Sequence, residues 1–209
     1  MKPVVIILVW ISLVSCSTTK LVNQWKSPDN PVFEANKVLV IGLTADREAR
    51  RDFESMLSFQ LEKSEMTAVR SIDFFEDNFI DNRKSEAELN EVEYQLLEAG
   101  FDAILMSKVM GTTEKNTAVQ HVRDFSDTFD TFREDYYESQ DALYNQNTYE
   151  SYTLYHTQTV LYCICPGKER ELIWHGEIDI VDQEVRKNMK DYINLLTKTL
   201  EDQQVLIVQ

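Results

Sequence analysis

Residues 37–43 read Lys37-Val38-Leu39-Val40-Ile41-Gly42-Leu43, an apolar run with no polar alternation. A strand with one wet face alternates apolar and polar side chains. A continuous run of this length predicts a central strand covered on both faces, and hence helices above and below a sheet. Downstream, Asp46 stands where a helix N-cap belongs, and Phe53, Met56, Leu57 and Leu61 then fall on one helical stripe. Residues 67–75 predict a second strand. Ser85 and Glu88 have capping-box spacing, and Leu89, Val92, Leu96 and Leu97 form the next stripe. Gly100 is placed to end that helix, and residues 101–109 open a third strand. The order β-α-β-α-β predicts an α/β fold built on a single mixed sheet, with Val38, Val40, Ile41 and Leu105 in its core.

Beyond the third strand the composition changes. Residues 120–151 are acidic and aromatic with little aliphatic content, and they read as an insertion. Residues 152–165 and 171–182 then predict a β-hairpin around Pro166 and Gly167. Asp182 can cap a last helix whose stripe is Val185, Met189, Tyr192, Ile193, Leu196 and Leu200, and residues 205–208 suit a short final strand. One domain over residues 37–209 accounts for the whole pattern.

Upstream, residues 17–36 show no sustained period and contain Pro28 and Pro31, so they read as a tether, with Trp25 packing onto the domain. Before the tether, Lys2 precedes an apolar run from Val4 to Val14, broken only by Ser12 and followed by Ser15-Cys16. Eleven such residues are too few to span about 30 Å of hydrocarbon but suit a signal-peptide core. A small residue before a cysteine at this point resembles the lipobox of bacterial lipoproteins. That resemblance implies a signal peptide over residues 1–15, acylation of Cys16 with palmitate-type chains, and a lipidated tether over residues 16–36. Ser17 after the cysteine resembles the outer-membrane sorting signal.

The 209 residues carry 21 basic and 36 acidic side chains, a net charge of −15. That balance argues against nucleic acid, which needs a basic face. It also predicts an acidic body standing off from an anionic membrane. The order of elements after the lipobox resembles a group of small bacterial envelope lipoproteins of unknown function. The residues that carry it are Trp25-Lys26 with Pro28, the 37–43 run, Arg50-Arg51-Asp52-Phe53-Glu54, residues 100–105, and Glu171 to Trp174 with Gly176. Their domain is similar to that of the lipoproteins that activate penicillin-binding proteins and of the curli secretion lipoprotein. The resemblance implies an α/β domain and supplies no catalytic residue.

Several clusters invite a chemical reading. Arg47, Arg50 and Arg51 open the first helix, where they either form an anion site or lie on a solvated face with Arg50 paired to Glu54. In the insertion, Phe125, Phe129, Phe132 and Tyr136 recur at helical spacing beside Tyr137 and many carboxylates. A packed insert, a surface for a partner and a divalent-ion site all suit that pattern, and a partner surface is the functional expectation. Cys163 and Cys165 fall on one face of a strand and read as two buried, nearly apolar side chains. His121, His156 and His175 fit no metal motif, and the hairpin register that would pair the last two is not readable from sequence. No nucleophile elbow, phosphate loop or dinucleotide motif occurs. The chain is therefore expected to be a non-enzymatic, lipid-anchored module of the outer membrane that faces the periplasm. It would need no cofactor or metal and would bind an envelope protein or glycan. The alternatives are a hydrolase of envelope glycan or lipid, and a subunit of a secretion or pore assembly.

Overall fold

The computed structural model describes residues 19–75, 79, 83–113, 132–133, 136–137, 154–164, 171–181 and 185–207. The 37–43 run is strand β3 (Lys37–Leu43). It is flanked by β4 (Thr67–Arg70) and β5 (Ala103–Thr113), both parallel to it. Beyond β5 the sheet continues antiparallel through β6 (Leu154–Cys163) and β7 (Leu172–Val181) to β1 (Thr19–Lys26). The six-stranded order is β1-β7-β6-β5-β3-β4. A separate parallel pair joins β2 (Phe33–Glu34) to β8 (Val205–Ile207).

The helices lie on both faces, as a doubly covered β3 requires. Helices α1 (Arg47–Glu62) and α4 (Val185–Asp202) bury Leu57, Leu61, Ile193, Leu196 and Leu200 against Val38, Val40 and Leu105. On the opposite face, α3 (Glu86–Glu98) sets Leu89, Val92 and Leu96 on Leu39, Ile41 and Ile104. Val38, Leu39, Val40 and Leu105 are fully buried and Ile41 is 1% exposed, so alternate β3 side chains feed two separate cores. Asp46 caps α1 by accepting from the N–H groups of Glu48 and Ala49. Ser85 and Glu88 form the capping box of α3, and Gly100 takes the left-handed conformation (φ 76°) after its end.

Three expectations are corrected. The segment read as a tether contains β1, an edge strand hydrogen-bonded along β7. Lys26 Nζ donates to the carbonyls of Pro31 and Gln203, fastening the segment after β1 to the end of α4. The second strand ends at Arg70 rather than Phe75, because Ser71 turns the chain into the one-turn helix α2 (Ser71–Phe74). There the Glu54 carboxylate accepts from the Ser71 hydroxyl and from the Ile72 N–H, a backbone donor that a longer ladder could have used. Cys163 is buried but disulfide-bonded, and its partner cysteine lies outside the described residues.

The strands are staggered. Pairing of β3 with β5 stops at Leu43 opposite Lys108, whereas β5 runs on to Thr113. A four-stranded ribbon of β5, β6, β7 and β1 therefore projects beyond the parallel half of the sheet, and β5 carries a bulge between Val109 and Gly111 within it. No helix among the described residues is long and apolar enough to cross a membrane.

Candidate functional site: a polar ribbon and an open sheet edge

The three arginines at the start of α1 do not converge. Arg47 and Arg51 are exposed, while Arg50 is 1% exposed and faces the protein interior. Its Nε donates to Glu54 Oε1 at 3.0 Å and its Nη2 to Ser71 Oγ at 2.7 Å. The same Glu54 oxygen accepts from the Gly42 N–H at 3.0 Å and from Ser71 Oγ at 2.6 Å, and Oε2 accepts from the Ile72 N–H at 3.1 Å. A Cβ on residue 42 would meet Phe53 Cδ1 at 2.8 Å, so glycine is what lets α1 bring this carboxylate onto the strand. The anion-site expectation is corrected: an internal carboxylate already neutralises Arg50. The i, i+4 pairing with Glu54 is present, but inside the molecule rather than on a solvated face.

The aromatic stripe is also partly reassigned. Phe132 is 1% exposed and Tyr136 is fully buried, both within the core beneath α3. The Phe132 ring meets Tyr162 at 6.0 Å and Tyr136 at 5.6 Å, and Tyr136 meets Phe79 at 6.2 Å. Arg133 ties the same segment to α3 through Glu86 at 3.0 Å, Glu93 at 3.5 Å and Asn90. These two rings are core and cannot form a free contact surface. Tyr137 is half-buried, and burial followed by the nearby Glu86 charge pushes its hydroxyl pKa up. Phe125, Phe129 and Cys16 lie outside the described residues.

The hairpin register brings together groups that sequence inspection left apart. On one face of the projecting ribbon, Lys108, Gln158 and Glu177 form a cross-strand row, with His156 and Asp179 in the next. Asp179 Oδ1 lies 2.6 Å from His156 Nδ1, and Thr113 Oγ1 lies 2.8 Å from His156 Nε2. An ionised carboxylate only accepts, so Nδ1 carries a proton, and in the neutral ring Nε2 accepts from the Thr113 hydroxyl. The arrangement is a base held by a carboxylate and aimed at an alcohol, which is the proton-transfer part of a nucleophilic site. His175 pairs with Val160, away from His156, and stacks on Trp25 with ring centroids 5.6 Å apart.

On the opposite face, a second polar group is closed on itself under α4. Ser107 Oγ and Thr159 Oγ1 are 2.7 Å apart, and the Tyr192 hydroxyl bonds to both. Burial raises the Tyr192 pKa, and the hydrogen bonds from Ser107, Thr159 and Thr157 oppose that shift. At the far edge of the sheet, no strand among the described residues lies outside β4. A groove of about 400 Å³ runs between β4 and α1, lined by Ser58, Phe59, Glu62, Val69 and Arg70 among others. Phe59 is 63% exposed, whereas Ser58 is 5% exposed and its hydroxyl has no hydrogen-bond partner among the described residues. Among the described residues, no group of three or more potential metal ligands is gathered.

This arrangement defines a mixed α/β domain with a polar ribbon at one end and an open strand along one edge. No family model matches the chain, and no curated protein matches its sequence. Among solved structures, it is similar to the PelC dodecamer from Paraburkholderia phytofirmans. The identity is 12%, over 90% of this chain and 98% of that one, with a TM-score of 0.43. It is also similar to lipoprotein GNA1162 from Neisseria meningitidis, at 11% identity over 79% of this chain and 98% of that one, with a TM-score of 0.41.

Proposed function

We propose that this chain is a non-enzymatic, lipid-anchored envelope module that holds a protein partner along the open edge of β4. The observation that carries the binding role is the groove beside that edge. An extended segment added to β4 gains main-chain hydrogen bonds, Phe59 offers it apolar area, and the unpartnered Ser58 hydroxyl supplies a buried polar contact. The address rests on the leader and Cys16. The test is a photo-crosslinker at position 59 in intact cells, compared between the natural chain and Cys16→Ser. The natural chain is expected to incorporate fatty acid, fractionate with membranes and give a defined adduct, and Cys16→Ser to lose all three. Equal fatty-acid labelling of the variant would end the anchor reading. An anchored protein without an adduct at position 59 would end the edge-binding reading.

The Thr113–His156–Asp179 relay favours one alternative, a hydrolase of envelope lipid or glycan esters. In that reading His156 takes the Thr113 proton as Thr113 Oγ1 attacks an ester carbonyl. The imidazolium, held by Asp179, returns it to the departing alcohol as the C–O bond breaks. Water then attacks the acyl-threonine with His156 as base to release the acid and restore Thr113. Thr113 labelled by an activated phosphonate ester, with labelling lost in His156→Ala, is the result that would favour it.

A further inference from the structure

Strand β1 begins so close to Cys16 that it limits how far the domain can stand from an anchored Cys16. Only Ser17 and Thr18 separate Cys16 from Thr19, the first residue of β1. Three residue steps span at most about 11 Å even when fully extended. The start of β1 is locked into the sheet opposite Ile180 at the end of β7, so it cannot lengthen that leash without breaking the edge pairing. A domain on such a leash cannot stand off from the membrane that holds Cys16, whatever its net charge.

The surface at that end suits contact with a bilayer. Val181 at the end of β7 is 44% exposed, and Val22, three residues along β1 from Thr19, is 52% exposed. Leu21, Leu154 and Ile180 beside them are half-buried. Lys20 and His156 are both cross-strand partners of Asp179, so this carboxylate beside the tip has a cation on one side and is hydrogen-bonded to an imidazole on the other.

We propose that the tip of the ribbon, formed by the first residues of β1 and the last residues of β7, rests in the headgroup layer of the bilayer that carries the Cys16 anchor. The proposal rests on the lipid-anchor reading above and commits to a lipid surface as the occupant. It places the sheet upright, with the turn after β1 farthest from the membrane. That turn lies beyond Lys26, seven residues along the strand from Thr19, which at about 3.3 Å per residue is roughly 23 Å.

The test uses the full, acylated protein purified from envelopes and reconstituted into phosphatidylethanolamine–phosphatidylglycerol vesicles. Cysteines introduced as Val181→Cys, Lys20→Cys and Asp29→Cys in separate chains carry a bimane fluorophore, and the vesicles carry a nitroxide on the lipid headgroup. Flotation with the vesicles is scored first, and failure to float counts against the anchor itself. For floating protein, quenching at positions 181 and 20 is expected to exceed that at position 29 several-fold. Equal quenching, or stronger quenching at 29, overturns the upright placement. A second chain carries about twelve Gly/Ser residues inserted between Ser17 and Thr18. It is expected to float normally but to lose the contrast between 181 and 29. An unchanged contrast would overturn the short leash as its cause.

Discussion

Glu54 is the residue on which the parallel half of the fold turns. It is fully buried and accepts from Gly42, Arg50, Ser71 and Ile72, joining β3, α1 and the start of α2 through one carboxylate. A buried ion pair adds little net stability, because desolvation offsets its Coulomb gain, but removing one partner strands the other. Glu54→Ala is therefore expected to cost about 3–5 kcal/mol in urea unfolding. Glu54→Leu with Arg50→Met should recover most of that loss. A Glu54→Ala chain with an unchanged unfolding midpoint would show that Arg50 finds water instead. The Arg50–Glu54 spacing was legible in the sequence because i, i+4 neighbours share a helix face. Its burial was not, because Ser71, the group that closes the network, is 17 residues from Glu54 and arrives only when β4 docks. The His156–Asp179 pair was hidden for a similar reason: a one-residue slip of the hairpin would send the two side chains to different partners.

Elements announced by a period or a cap were readable, and those defined only by their neighbours were not. Strand β3, the stripes of α1 and α3, and both helix caps follow from local chemistry. Strand β1 does not. Of its eight residues only Thr19 is buried, and the bulge between Leu21 and Asn23 breaks whatever alternation the strand has. An edge strand of this kind is held by main-chain bonds to β7, which leave no trace in the side-chain pattern. The capping box of α3 permits a prediction in pH. Side-chain and backbone hydrogen bonds from Ser85 hold the Glu88 carboxyl below its ordinary value. A carboxyl with a lowered folded-state pKa contributes stability above its ordinary pKa and loses it as pH falls through the folded value. Ser85→Ala is expected to lower the urea midpoint at pH 7, with the gap from the natural chain closing as pH falls below the usual carboxylate range. A gap constant down to pH 3 would remove Glu88 from the account of that cap.

At the scale of the whole molecule, the sheet separates two cores that are not equally self-sufficient. The one under α1 and α4 is filled by the segments with clear helical and strand periods. The one under α3 is completed by Phe79, Phe132 and Tyr136, residues from stretches whose composition reads as loop and insertion. Their low aliphatic content suggested a detachable surface element, but aromatic rings bury as much apolar area as the residues they replace. The two core residues from the insertion are therefore load on the fold rather than an appendage to it. Truncating one buried aromatic costs about 3–5 kcal/mol, so two approach or exceed the lower end of the roughly 5–15 kcal/mol that keeps a domain folded. Phe132→Ser with Tyr136→Ser is expected to give a chain that has lost its near-UV signal and unfolds far earlier in urea. Tyr137→Ser, at a half-buried position beside them, should change the midpoint little. If the double variant instead keeps the natural midpoint, the core under α3 is closed without the insertion, and those rings are again available to a partner.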